Sequence, residues 1–231
     1  MDPGTVAVVA TTTPLDVVVA KPLLRGWLHF VCFFLAIPTG AVVIAIASSS
    51  TARIGATIYA TGLVALFGVS GFYHRLRWSP KWRLRMKRLD HSTIFVMIAG
   101  SYTPICLVVL DGWVAVAMLS IAWIGAAVGA VLAWVPGSRS RIACSALYIV
   151  LGWGVVAAAP QLIAGLRVDQ LVLIGAGGLL FTGGAITLAI HRPDPIPHIF
   201  GYHEVWHVMV TCAVVCQLIA IASVVSSAPA T

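Results

Sequence analysis

Charge is what this chain has least of. Asp, Glu, Lys and Arg together make up 9% of its 231 residues, where a soluble domain carries about a quarter. So few charges could not cover a folded core in water, which excludes a soluble globular domain and points to a bilayer as the solvent. Paired cysteines are also lacking. Cys32, Cys106, Cys144, Cys212 and Cys216 all lie in apolar segments and none forms a C-x-x-C pair. This argues against a disulfide framework or thiolate cluster and leaves them as small apolar packing residues. The first twenty residues hold no Lys or Arg, and their apolar runs are short. They meet neither requirement of a secretory signal. Residues 1–24 read as a loosely ordered cytoplasmic tail, and 25–231 as one transmembrane domain. No segment alternates with the period of two expected of a membrane barrel.

Apolar residues are abundant: 60% of the chain, with a mean hydropathy of +1.01. A helix needs about 20 mostly apolar residues to cross the hydrocarbon of a bilayer. Such runs occupy 27–49, 54–76, 90–110, 113–135, 141–160, 171–190 and 203–226. Short loops rich in Gly, Pro and charge separate them, as in Pro136-Gly137-Ser138-Arg139. The fold class is therefore all-α, a seven-helix transmembrane bundle. Lys21, Arg25, Arg75, Arg77, Lys81, Arg83, Arg85, Lys87, Arg88, Arg139, Arg141 and Arg192 fall on one side of it, and only Arg53 and Arg167 on the other. Basic residues favour the cytoplasm, which predicts a cytoplasmic N-terminus and a C-terminus outside.

The predicted loop from His74 to Asp90 carries much of that charge. Ser79-Pro80 has the form of a helix start. Beyond it Trp78, Trp82, Met86 and Leu89 recur at near-helical spacing, with Arg77, Lys81, Arg85 and Arg88 in a second row. The 75–88 stretch thus suits anionic lipid headgroups as an interfacial amphipathic segment. A topogenic loop without lipid specificity fits equally, and neither reading supports nucleic-acid binding.

Ionisable residues inside spans are costly and mark functional sites by default. Here they are His74 ending the second span, Asp90 and His91 opening the third, and His203, Glu204 and His207 opening the seventh; Ser70 lies one turn before His74. Chain direction puts all of them in one layer at the cytoplasmic face. His203 and His207, four apart, share a helical face. With a third histidine from another helix, His74, they make the ligand set of a catalytic zinc, which leaves a position open to water. Zinc lowers the pKa of such a water toward about 7. Asp90 would take or orient its proton, and Ser70 would add a hydrogen bond to the water or to a substrate carbonyl. Single histidines near an interface are ordinarily just polar groups there, so His29, His91, His191 and His198 are set aside. Asp90 alone would also suit a helix N-terminus as a cap.

His203-Glu204-Val205-Trp206-His207 fits the H-E-x-x-H pattern of zinc proteases. Intramembrane proteases of that kind draw a further ligand from a downstream Leu-Asp-Gly. Leu110-Asp111-Gly112 lies upstream and at the opposite end of a span, which removes that reading. A different set of motifs, in order along nearly the whole chain, resembles the hemolysin III branch of the progestin and adipoQ receptor family. They are Arg25-Gly26-Trp27-Leu28-His29, Ser70-x-x-x-His74, Asp90-His91, Ala99-Gly100-Ser101-Tyr102-Thr103-Pro104, and Gly201-Tyr202 leading into the H-E-x-x-H segment.

The resemblance implies a multi-pass protein of a bacterial plasma membrane. It also implies Zn²⁺ held by His74, His203 and His207, with Asp90 and Ser70 at the water beside the metal. It links the chain to ceramide hydrolysis in the receptor branch, and to cytolysis and membrane-lipid homeostasis in the bacterial branch. The expected activity is hydrolysis of a lipid amide or ester bond in a cavity open to the bilayer, with stretches such as Gly175-Ala176-Gly177-Gly178 allowing lateral gaps. The competing expectations are a pore-forming protein with a structural zinc and a lipid sensor without turnover. Glu204 has no role in the sequence reading.

Overall fold

The structure, a computed structural model, describes residues 21–228, so the first twenty residues of the expected tail lie outside the described residues. Seven spans are built from α1 (Trp27–Ala45), α2 (Ser50–Arg75), α3 (Pro80–Val108), α4 (Gly112–Leu132), α5 (Ser138–Trp153) with α6 (Ala159–Gly165), α7 (Val168–Ile190) and α8 (Tyr202–Ser226). Each span is long and apolar enough to cross a membrane, and no strand occurs among the described residues. The all-α reading with seven spans is borne out.

Two boundaries differ from the sequence reading for physical reasons. The third helix begins at Pro80 rather than at 90 and runs unbroken for 29 residues. The segment expected as a separate interfacial helix is its first part. Hydropathy stops a span where Lys and Arg begin, but those residues are good helix formers, and Pro80 stands at the first turn. Asp90 is consequently an interior residue of α3, which removes its reading as a helix cap. The fifth span breaks into a 3₁₀ turn at Gly154–Ala158. Gly152, Gly154 and Pro160 bracket that turn and account for it.

Helix α2 is the hub and packs on α1, α3 and α8. Its small residues Ala52 and Ala56 are buried in one cluster with Tyr59, Leu63, Phe67, Val210 and Val214. Gly71 lets α1 come very close: a Cβ there would stand 2.7 Å from Phe30 Cα. A second core joins α3, α4 and α5 around Phe95, Tyr102, Ala122 and Leu151. Elsewhere packing thins. A cavity of about 190 Å³ opens between α3, the fifth span, α7 and α8. Ile105, Trp153, Val156, Leu171, Gly175 and Gly178 line it, and open space faces Gly152, Gly175 and Gly178.

Candidate metal centre

The start of α8 is fixed by carboxylates, which accept the N–H groups a helix leaves free at its first turn. Asp194 Oδ1 accepts the Tyr202 N–H at 2.8 Å, and Glu204 Oε2 accepts the Gly201 N–H at 2.9 Å. Glu204 thus closes the N-terminus from three residues inside it, as a capping box does. Its other oxygen, Oε1, accepts from the Arg25 guanidinium. The segment before α1 is therefore tied across α8. Leu23 and Leu24 also donate their N–H groups to the His198 and Ile199 carbonyls, each at 3.0 Å. This anchoring sets the rotation of α8 and hence where His203 and His207 point.

The structure brings His74, His203 and His207 together. One ring nitrogen from each lies within 4.8 Å of the other two, and the rings are tilted at 60–67° rather than stacked. His74 Nε2 and His203 Nε2 are 3.3 Å apart. Ligand nitrogens about 2.0–2.1 Å from a tetrahedral zinc would be separated by roughly 3.3–3.4 Å. The His74–His203 pair stands at that spacing, and three imidazoles are a donor type that could hold such an ion. Gly26 makes room for it. Its φ is +77°, which favours glycine, and a Cβ there would sit 2.3 Å from His74 Cβ. Asp90 Oδ2 lies 3.8 Å from His74 Nε2. Ser70 is buried one turn before His74.

Other histidines stay apart. His91 Nδ1 donates to the Lys87 carbonyl at 2.7 Å, His191 ends α7, and His198 is exposed in the loop before α8. His29 is different. Set aside in the sequence, it is buried, stacks on His207 with centroids 3.9 Å apart, and meets Ser70 Oγ through Nδ1 at 2.9 Å. The first turn of α1 belongs to the same layer as the other polar residues, and that signal could have found it. Leu110-Asp111-Gly112 lies at the α3–α4 junction, away from the histidines.

Residues 17–218 match the family described as Haemolysin-III related. The chain belongs to that family. Among curated relatives, Hemolysin-3 of Bacillus cereus is 31% identical over 79% of this chain and 81% of its own length. The Hemolysin-3 homolog of Bacillus subtilis (strain 168) is 30% identical over 65% of this chain and 68% of its own. Monocyte to macrophage differentiation factor of Homo sapiens is 27% identical over 70% and 66%. These matches place this haemolysin III-related chain in the hemolysin III branch of the progestin and adipoQ receptor family, as a multi-pass membrane protein.

Proposed function

We propose that this haemolysin III-related protein is a zinc-dependent membrane hydrolase of lipid amide or ester bonds, ceramidase-like, that serves membrane-lipid homeostasis. The observation that carries this reading is the convergence of His74, His203 and His207 beside the Asp90 carboxylate. The three imidazoles would hold the metal. When bound, zinc would supply Lewis-acid polarisation of the scissile carbonyl and an acidified water.

The chain's own groups do the rest. Asp90 takes and returns the proton, and Ser70 holds that carboxylate in place. Near the layer the Arg25–Glu204 pair keeps α8 from rotating. The glycine-lined cavity supports an amphiphilic substrate. Its lining begins at Ser101 on α3 and at Gln217 on α8, roughly 15 Å along each helix from Asp90 and His207. A lipid tail can span that distance with its head among the imidazoles.

In this reading the histidine layer faces the cytoplasm, and the basic start of α3 meets anionic headgroups. Arg85 over Trp82 and Arg88 over Trp134, at 5.0 and 5.6 Å to the ring centroids, support that contact. Replacing Lys81, Arg85, Lys87 and Arg88 by Gln should reduce anionic phospholipid carried through purification, read by native mass spectrometry. Unchanged lipid content would count against it.

Labelled ceramide in zinc-loaded nanodiscs tests the activity. The parent should release fatty acid, His207→Ala should release none, and Asp90→Asn should keep its zinc but slow by about 10²–10⁴-fold. Equal turnover by His207→Ala would exclude zinc catalysis. Vesicle leakage without any hydrolysis would favour the pore-forming reading, and tight lipid retention without product the sensor.

A further inference from the structure

His29 is a fourth imidazole in the layer that the proposed chemistry leaves unused. It is 3% exposed on the first turn of α1, with its ring parallel to that of His207 at an interplanar angle of 8°. Stacked rings direct their in-plane lone pairs along parallel planes, so His29 and His207 do not aim at one ion as His74 and His203 do. Phe67 packs its ring edge against His29 at 5.1 Å and holds it onto His207.

The hydrogen-bond accounting is tight. Nδ1 of His29 lies 2.9 Å from Ser70 Oγ, and Nε2 is buried with no hydrogen bond of good geometry, although the His207 backbone also lies against the ring. Ser70 has a single hydroxyl hydrogen, and an ionised carboxylate can only accept. If Ser70 serves Asp90, that hydrogen is committed to Asp90, and the serine oxygen must accept from His29. Nδ1 then carries the ring proton and Nε2 is bare, because the bond made by one ring nitrogen decides the state of the other.

We propose that His29 is a positioning residue: its ring face sets the orientation of His207, and its Nδ1–H sets Ser70 with the hydroxyl turned toward Asp90. Its first half rests on the three-histidine metal reading, and its second on the Ser70–Asp90 link of the proposed function. Outer partners of metal ligands typically change metal affinity by about 10–100-fold when removed.

The test uses the full chain in nanodiscs, with cobalt(II) as the probe and size-exclusion profiles to confirm folding. His29→Phe keeps a flat ring against His207 and loses the donor. His29→Asn keeps a donor near the Nδ1 position and loses the ring. Cobalt affinity should fall by less than about tenfold in His29→Phe and by about 10–100-fold in His29→Asn, with an altered visible spectrum in His29→Asn only. Equal losses in both would mean a merely structural side chain and overturn the ring half of the proposal. The donor half is read without metal, by ¹⁵N NMR of histidine-labelled, metal-stripped protein. His29 should be protonated at Nδ1, and Ser70→Ala should release that preference. A proton on Nε2 in the parent overturns the donor half. A parent that binds no cobalt but shows Nδ1–H removes the metal reading and upholds the His29–Ser70 link.

Discussion

The two halves of this bundle are packed to different standards. In α2 and α3, 61% and 67% of the most apolar stretch is buried; in each of the fifth and sixth spans the share is 17%. The α1–α3 side, together with the first turns of α8, carries the polar layer, held by a close α1–α2 approach at Gly71 and by the Arg25–Glu204 tie. The second half carries a 3₁₀ break and a glycine-lined gap. A metal site tolerates little displacement, since its ligands must keep both distance and direction. A site that draws a molecule from a bilayer needs a wall that is not tightly closed. In the proposed function these two requirements fall on different helices.

Breaking the tight half should have the largest effect. His203→Ala should remove essentially all bound zinc, measured by elemental analysis after gentle extraction, while the protein stays folded. Acidification should have the same outcome, because imidazole ligands must be neutral to bind. A zinc content equal to the parent's would show that the ion is held elsewhere. Next comes the tie across α8. Arg25→Met leaves the buried Glu204 carboxylate without its cation and should cost about 3 kcal/mol or more. The measurement is the thermal midpoint of the metal-free protein, and an unchanged midpoint would make the pair ornamental to stability. The smallest change is expected in the loose half. Gly178→Leu adds a side chain into open space, so zinc content and midpoint should hold while co-purifying lipid falls. A large loss of stability there would mean that the gap is packed in the membrane.

The seven spans were legible because hydropathy in a bilayer is a direct record of what surrounds each residue. Their layer of polar groups was legible too, since chain direction alone places His74, Asp90 and His203 at one depth. Two things were not. The helix start at Ser79-Pro80 was legible, but its continuity with the third span was hidden because a hydropathy scale ends a span where Lys and Arg begin. The burial of His29 was hidden because a lone histidine at the head of a span has the same sequence signature whether it faces headgroups or a neighbouring helix. Only the approach of α1 to α8 distinguishes them. Glu204 sits between these cases. Its spacing from Gly201 is that of a capping residue, but its bond to Arg25 joins residues 179 positions apart, and no local pattern reports such a contact.

Because α3 has no joint between Pro80 and Asp90, its outer collar and its buried acid are one rod. Trp82 rides at the headgroup end, and the Asp90 carboxylate stands about 12 Å further along the same axis. A rigid helix moved at one end moves at the other, so a tilt of that collar would also shift Asp90 relative to His74.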